Sequence, residues 1–212
     1  MIYPTSITEL INSFKSLPGV GEKSAERFAY HVIDMDKEVV ENFSKALVNV
    51  KTKIKYCPKC NFITENEICE ICADQTRDNK TLCVVEDIKS VMMFEKLNVY
   101  NGKYFVLDKL ISPFDKIGPD ETNINELMDT IKNNDIKEVI LAIKPTIEGE
   151  ATSMYIEKLI NTLSKSIDKE NGVEDKNITI SKIAHGIPLG VEMEYLDSLT
   201  IELAFKDRKK IS

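Results

Sequence analysis

No stretch of this sequence approaches the roughly 18 consecutive apolar residues that a membrane-spanning helix requires. The polar run from Thr5 to Ser16 offers no continuous apolar segment for a secretory leader either. The expected location is therefore the cytoplasm. Also missing is any Gly-x4-Gly-Lys-Ser/Thr phosphate loop, so nucleotide hydrolysis by this chain alone is not expected. Histidine is scarce: His31 falls near the end of a helical segment, where it suits the negative end of the helix dipole, and His185 lies in the tight loop Ala184–Gly190. There is no internal repeat and no low-complexity segment.

What is present is an ordinary globular composition, 42% hydrophobic and 30% charged, in 212 residues. That length is enough for one large domain or a small and a medium one. The net charge of −7 argues against a protein that simply coats nucleic acid. The charge is uneven, however: residues 1–60 hold nine Lys/Arg against seven Asp/Glu, which leaves +2 there and −9 in the remainder. Lys45 to Lys59 contains five lysines and no acid. If DNA is a partner, the N-terminal quarter is where it binds. The same run also reads as a solvated helix face followed by a lysine-rich linker.

Three segments differ in pattern. Residues 5–52 have helical period: Ile7, Leu10, Ile11 and Phe14 share one face, and Val39, Val40, Phe43, Leu47 and Val50 repeat the pattern. Residues 57–72 carry paired cysteines and are too short and polar for a core of their own. From Thr81, short apolar strands (Leu82–Val85, Tyr104–Leu107, Val139–Ile143, Ile178–Ile180) alternate with helical stretches (Asp87–Lys96, Asn123–Asn133, Gly149–Ser166). Such alternation predicts an α/β domain with a mostly parallel sheet and helices on both faces. The polar stretch Asp168–Asn177 reads as an exposed loop, and a last short helix begins near Asp197-Ser198 before a basic tail, Lys206 to Lys210.

Three places carry chemistry. Leu17-Pro18-Gly19-Val20-Gly21 is a turn signal between helical segments. It leaves backbone N–H groups at the start of the second helix open to an anion. Lys23 and Arg27, four residues apart, share a helix face and can flank one phosphate strand. Contacts to backbone charge are indifferent to base sequence. The stretch Leu17–Arg27, with Ala25 at its packing position, resembles the helix-hairpin-helix motif of DNA repair and replication proteins. That makes Gly19, Gly21, Lys23 and Arg27 the candidate DNA-binding residues, against the alternative of a purely structural turn.

Cys57-x2-Cys60 and Cys69-x2-Cys72 are separated by eight residues. Two such turns can complete a tetrahedron of sulfurs for zinc and leave no position for water or substrate, so the metal would be structural. A redox pair or unrelated surface thiols are the alternatives; disulfides are not expected in a reducing compartment. Cys83 stands in an apolar strand with nothing nearby to activate it.

The third place is the end of the strand Leu82–Val85, where Glu86 sits at the position that binds ligands in open α/β sheets. Glu148-Gly149-Glu150 follows a later strand and opens a helix. This layout resembles the Toprim fold of topoisomerases and primases. The resemblance implies a metal site built from a glutamate and an Asp-x-Asp pair. Here Lys144 and Thr146 stand at the two aspartate positions, and an Mg²⁺ site has lost its anchoring charge. Glu86, Lys144, Glu148 and Glu150 then form a degenerate acidic site, in which Lys144 is expected to pair with one of the three carboxylates rather than point to solvent.

A helix-hairpin-helix, a four-cysteine zinc finger and a Toprim sheet in that order resemble the RecR family of recombination mediators. The likeness continues through Ile111–Asp120, Glu138–Thr152 and Ile183–Gly190. It implies a division into 1–54 (helix-hairpin-helix), 55–76 (zinc finger), 80–182 (Toprim) and 183–212 (C-terminal segment). It also implies a non-enzymatic DNA-binding protein of recombinational repair, cytoplasmic and nucleoid-associated, with structural Zn as its metal. A homo-dimer or ring-shaped homo-tetramer would encircle DNA and act with RecO and RecF to load RecA on gapped single-stranded DNA. Repetition around a ring would also multiply the few phosphate contacts of one hairpin. The rival is a Toprim-type metal-dependent nuclease or primase. Four features depart from the family pattern: Glu22 stands where Pro is usual, Ser90 replaces an acidic residue, Val191 replaces a glycine, and the loop around Asp168–Asn177 is longer.

Overall fold

The computed structural model describes residues 3–170, 177–184 and 186–208. It separates into two compact units, residues 1–54 and 55–212.

The first unit is helical: α1 (Thr5–Lys15), α2 (Glu22–Asp34) and α3 (Lys37–Lys53). Its core is small. Ile11 of α1 packs on Ala25 and Ala29 of α2, with Ile7, Leu10, Phe14 and Val20 closing around them. Two alanines four residues apart give α2 a flat stripe on which α1 can lie closely. Phe14 and Phe28 add an edge-to-face contact at 5.6 Å between ring centroids. The lysine run is no linker: Lys45, Lys51 and Lys53 lie on α3, and Lys55 begins the next strand.

The second unit opens with β1 (Lys55–Tyr56), β2 (Ile63–Thr64) and the single turn α4 (Glu70–Ala73). It continues as β3 (Thr81–Val85), α5 (Ile88–Leu97), β4 (Lys103–Val106), α6 (Ile124–Asn133), β5 (Glu138–Ala142), α7 (Ile147–Glu170), β6 (Thr179–Lys182) and α8 (Ser198–Lys206). Four strands form one parallel sheet in the order β4-β3-β5-β6. Alternation along the strands feeds two cores. Leu82, Val84, Phe105, Val139 and Leu141 face α6 and α7, where they meet Leu127, Ile131, Ile156 and Ile160. Cys83, Val85, Tyr104 and Val106 face the other way, toward Val91, Ile88 and Phe94 of α5 and toward Phe62 and Ile71 of the cysteine segment. Helices thus cover both faces, and the central strand β3 is buried on both, as parallel sheets require.

The strands and helices predicted from Thr81 to Ile180 shift by at most two residues from the sequence pattern, except at the C-terminal end of α7. Helix α7 starts at Ile147 rather than Gly149, because Thr146 caps it: its hydroxyl accepts from Gly149 N–H at 3.2 Å and its carbonyl from Glu150 N–H at 2.8 Å. The same helix runs on to Glu170, past Ser166, since no glycine or proline interrupts the chain before Gly172. The expected loop at Asp168–Asn177 therefore starts later, and its residues 171–176 lie outside the described residues. His185 and the tail residues Lys209 and Lys210 also lie outside them. Asp197 caps α8 as its sequence suggested, accepting from Thr200 N–H at 2.9 Å.

Candidate nucleic-acid interface, cysteine centre and strand-end carboxylates

In the first unit, the turn between α1 and α2 holds Gly19 at φ +79°, a conformation that only glycine adopts without strain. Gly21 is the N-cap of α2 and brings no side chain to cap it. A Cβ placed on Gly21 would meet nothing within 4 Å, so its backbone stands open on that side. Lys23 and Arg27 follow on the exposed side of α2, opposite buried Ala25 and Ala29. Neither is in an ion pair among the described residues; the Arg27 guanidinium lies 5.6 Å from the centroid of the Phe28 ring. Two uncommitted cations beside an uncapped helix N-terminus form a surface suited to an anion.

In the second unit, the four cysteine sulfurs lie within 4.8 Å of one another, three of them on buried residues. Tetrahedral zinc with bonds of about 2.3 Å places its sulfurs about 3.8 Å apart, so the donor set fits the ion. Each pair sits in a tight turn. The first is closed by Asn61 N–H on the Cys57 carbonyl at 2.8 Å, with Asn61 itself at φ 59°. The second is closed by Ala73 N–H on the Cys69 carbonyl at 2.9 Å. Backbone N–H groups also point at sulfur, from Cys69 to Cys57 Sγ and from Cys72 to Cys69 Sγ, each at 3.4 Å. Without a cation the thiols contend for protons. Hydrogen bonds from Cys60 and Cys72 hold Cys69 far below its usual range, and the Cys60–Cys69 contact pushes Cys60 up. A zinc ion held between the sulfurs would take all four as thiolates. Cys83, by contrast, is buried in β3, and burial pushes its thiol up to about 12.

The third place lies at the C-terminal ends of the parallel strands. Val85 of β3 pairs with Ala142 of β5, so the residues beyond them, Glu86 and Lys144, arrive side by side. Lys144 Nζ lies 3.4 Å from Glu86 Oε1, and Lys144 N–H donates to Glu86 Oε2 at 3.4 Å. Glu150 is engaged instead by Lys182 of β6 at 2.9 Å. Glu148 stands in the first turn of α7, and among the described residues Lys144 makes no ion pair with it or with Glu150. Gly149 is required here by space: a Cβ would fall 2.0 Å from the Lys144 carbonyl oxygen. The helix can begin this close to the strand end only because that residue has no side chain.

Family models match along the chain in the same order. The RecR helix-hairpin-helix model covers residues 7–51, the RecR four-cysteine zinc finger domain 54–74, the Toprim domain 80–179, and the RecR C-terminal model 186–209. Full-length likeness decides the matter. The Recombination protein RecR of Staphylococcus saprophyticus is 43% identical over 211 residues, covering 100% of both chains, and those of Staphylococcus aureus strain MRSA252 and Staphylococcus haemolyticus match to the same extent.

The chain belongs to the RecR family.

Within this RecR framework the structure shows how two of the unusual residues are accommodated. Glu22 is paired with Lys15 across the hairpin, so its charge is locally balanced beside Lys23. As the first residue of α2 it also suits the positive end of the helix dipole. Ser90 gives both its N–H and its hydroxyl to Asp87, the N-cap of α5, each at 2.8 Å. The Ser90 N–H bond is the main reason the Asp87 carboxyl is held below its usual range. A carboxylate at position 90 would face that of Asp87. Sequence reasoning missed the groups that support the RecR cysteine centre and strand ends: Lys103, Arg77, Glu95 and Lys182. Local spacing offers only the Arg77–Asp74 ion pair, three residues apart; the contacts Arg77–Glu95, Lys103–Ile71 and Lys182–Glu150 each join residues at least 18 apart.

Proposed function

We propose that this protein is a non-enzymatic recombination mediator that binds DNA without sequence preference through Gly19, Gly21, Lys23 and Arg27. It acts as a dimer or ring-shaped tetramer, and works with RecO and RecF to load RecA on gapped single-stranded DNA in the nucleoid. The observation that carries the DNA reading is the open turn at Gly19–Gly21 with two uncommitted cations on the adjoining face of α2. Every contact it offers is to phosphate, which supplies affinity without sequence information. One such hairpin makes too few contacts for useful affinity at cellular salt, which favours assembly of several copies around the DNA.

The absence of catalysis rests on Lys144. A Toprim nuclease or primase needs carboxylates to hold its divalent ion between strand ends, and here an ammonium stands against Glu86. The DNA reading is tested by the K23A/R27A double variant, titrated with duplex and single-stranded DNA across a range of salt. Binding should weaken equally for all sequences, and the slope of log K against log salt should fall by about two, one for each phosphate that is no longer neutralised. An unchanged slope overturns the assignment. Magnesium-dependent cleavage or polymerisation by the purified protein, abolished in Glu86→Gln, would overturn the non-enzymatic reading.

A further inference from the structure

Both cysteine turns are seated on one strand of the sheet. β4 is an edge strand, and edge strands leave a row of unpaired N–H and C=O groups. Here the first turn engages those of Val106: its N–H donates to the Cys60 carbonyl at 2.8 Å, and its carbonyl accepts from Asn61 Nδ2 at 3.1 Å as well as from Asn123 Nδ2 at 2.9 Å. The second turn is reached from the start of the same strand. Lys103 Nζ donates to the carbonyls of Ile71 at 2.8 Å, Asp74 at 2.6 Å and Cys72 at 3.4 Å. An ammonium has three donors, and all three go to the turn that carries Cys69 and Cys72. Those carbonyls end α4, where the last C=O groups have no intrahelical partner and gather negative potential. Among the described residues Lys103 is in no ion pair; besides the turn carbonyls its charge also acts on the Asp74 carboxylate at the end of the same turn. Beside it, Arg77 grips both oxygens of Glu95 and donates to the Gly102 carbonyl, which fixes the backbone just before Lys103.

We propose that Lys103 is a positioning residue of the zinc centre. Its ammonium, anchored on β4, holds the Cys69–Cys72 turn in the ligating conformation and offsets part of the charge of the centre, so the sheet sets how tightly zinc is kept. Four thiolates and one Zn²⁺ carry a net double negative charge, and a half-buried ammonium bonded around a ligand turn is a favourable counter-charge. Groups that orient metal ligands without touching the metal typically contribute about 10- to 100-fold in affinity. The inference rests on zinc being held by Cys57, Cys60, Cys69 and Cys72.

The test uses zinc-loaded full-length protein and three variants: Lys103→Met, which keeps the stem without the charge; Lys103→Arg, which keeps the charge; and Lys96→Met as an exposed control. Zinc affinity is read by competition with a chromogenic chelator, and the ligand geometry by ¹¹³Cd NMR of the cadmium-substituted protein. Lys103→Met should lose zinc affinity by about 10- to 100-fold and move the ¹¹³Cd resonance. Lys103→Arg should restore most of the affinity, and Lys96→Met should behave as the parent. Parent-like affinity and an unmoved resonance in Lys103→Met overturn the proposal. If that variant does not fold, Lys103→Gln, neutral but still a donor, is read by the same two measurements and the same criterion. Parent protein that folds without any bound metal would refute the zinc reading itself, a separate failure from that of Lys103.

Discussion

The cysteine centre and the strand-end carboxylates are both clusters of negative groups, and the chain treats them in opposite ways. At the cysteine centre four sulfurs converge, and among the described residues no ion pair reaches them; Lys103 bonds carbonyls of the second turn rather than sulfur. At the strand ends the chain supplies its own cations, with Lys144 on Glu86 and Lys182 on Glu150. The first arrangement is a donor set for a metal; in the second, two of the three carboxylates already carry a lysine, and Glu148 is in no ion pair among the described residues. This chain thus presents one cluster with the donors of a metal site and another in which lysines stand against two carboxylates.

The largest effect should come from removing zinc. A structural zinc site contributes on the order of 10 kcal/mol to the folding of small modules, and residues 55–75 have little apolar core besides Phe62, Ile68 and Ile71. A strong chelator, or Cys69→Ser, is expected to make this segment the first to be cut in limited proteolysis. If the segment stays protected with the metal gone, the contrast between the two clusters fails.

A smaller effect is expected at Arg77, whose pairing with Glu95 links the chain just after the second cysteine turn to α5. Arg77→Ala leaves Glu95 its hydrogen bond from the Tyr104 hydroxyl but takes away its cation, removing a bidentate pair with little exposure at a cost of about 1–3 kcal/mol in denaturant unfolding. The pair also predicts a pH dependence. The Arg77 hydrogen bond holds the Glu95 carboxyl below its ordinary value of 4.5. The stabilisation is therefore complete above that pH and is lost as pH falls through the lowered value, because the unfolded chain takes up the proton first. In Arg77→Ala this acid-side component should shrink, which unfolding midpoints between neutral and acid pH will show.

The smallest effect belongs to the strand ends. Lys144 is 53% exposed, so Lys144→Met should change stability by only about 0–1 kcal/mol. Lys144→Asp sharpens the comparison. It returns a carboxylate beside Glu86, and millimolar magnesium should then raise the thermal midpoint of the variant but not of the parent. A parent protein that magnesium stabilises equally would show that Lys144 does not take the ion's place.

Much of this molecule can be read locally. Glycine at 19 and 21, the Cys-x2-Cys spacing and the alternation in Leu82–Val85 each act within a few residues, so the turn, the sulfur cluster and the buried strand follow from short stretches of chain. The helical period of residues 5–52 is legible too, but not that Lys45 and Lys51 ride on α3 rather than in a linker: lysine suits a solvated helix face and a loop equally well. The start of α7 lies two residues before the position its glycine suggests, because a threonine cap is a weaker sequence signal than Gly149 itself.

What the sequence by itself determined is the order of the parts, the donor set for zinc and the standing of Lys144 and Thr146, rather than carboxylates, beyond the strand β5. Each depends on residue type and short spacing, which the folded state preserves. What only the tertiary structure decided is which long charged side chain meets which partner. Lys144 met Glu86 while Glu150 went to Lys182, because β5 lies between β3 and β6 in the sheet. Lys103 reached the second cysteine turn, some 30 residues earlier, because β4 is the edge strand on which that segment folds back. A lysine has a flexible stem and no local preference that names its partner. Its role is set by what the sheet order brings within reach.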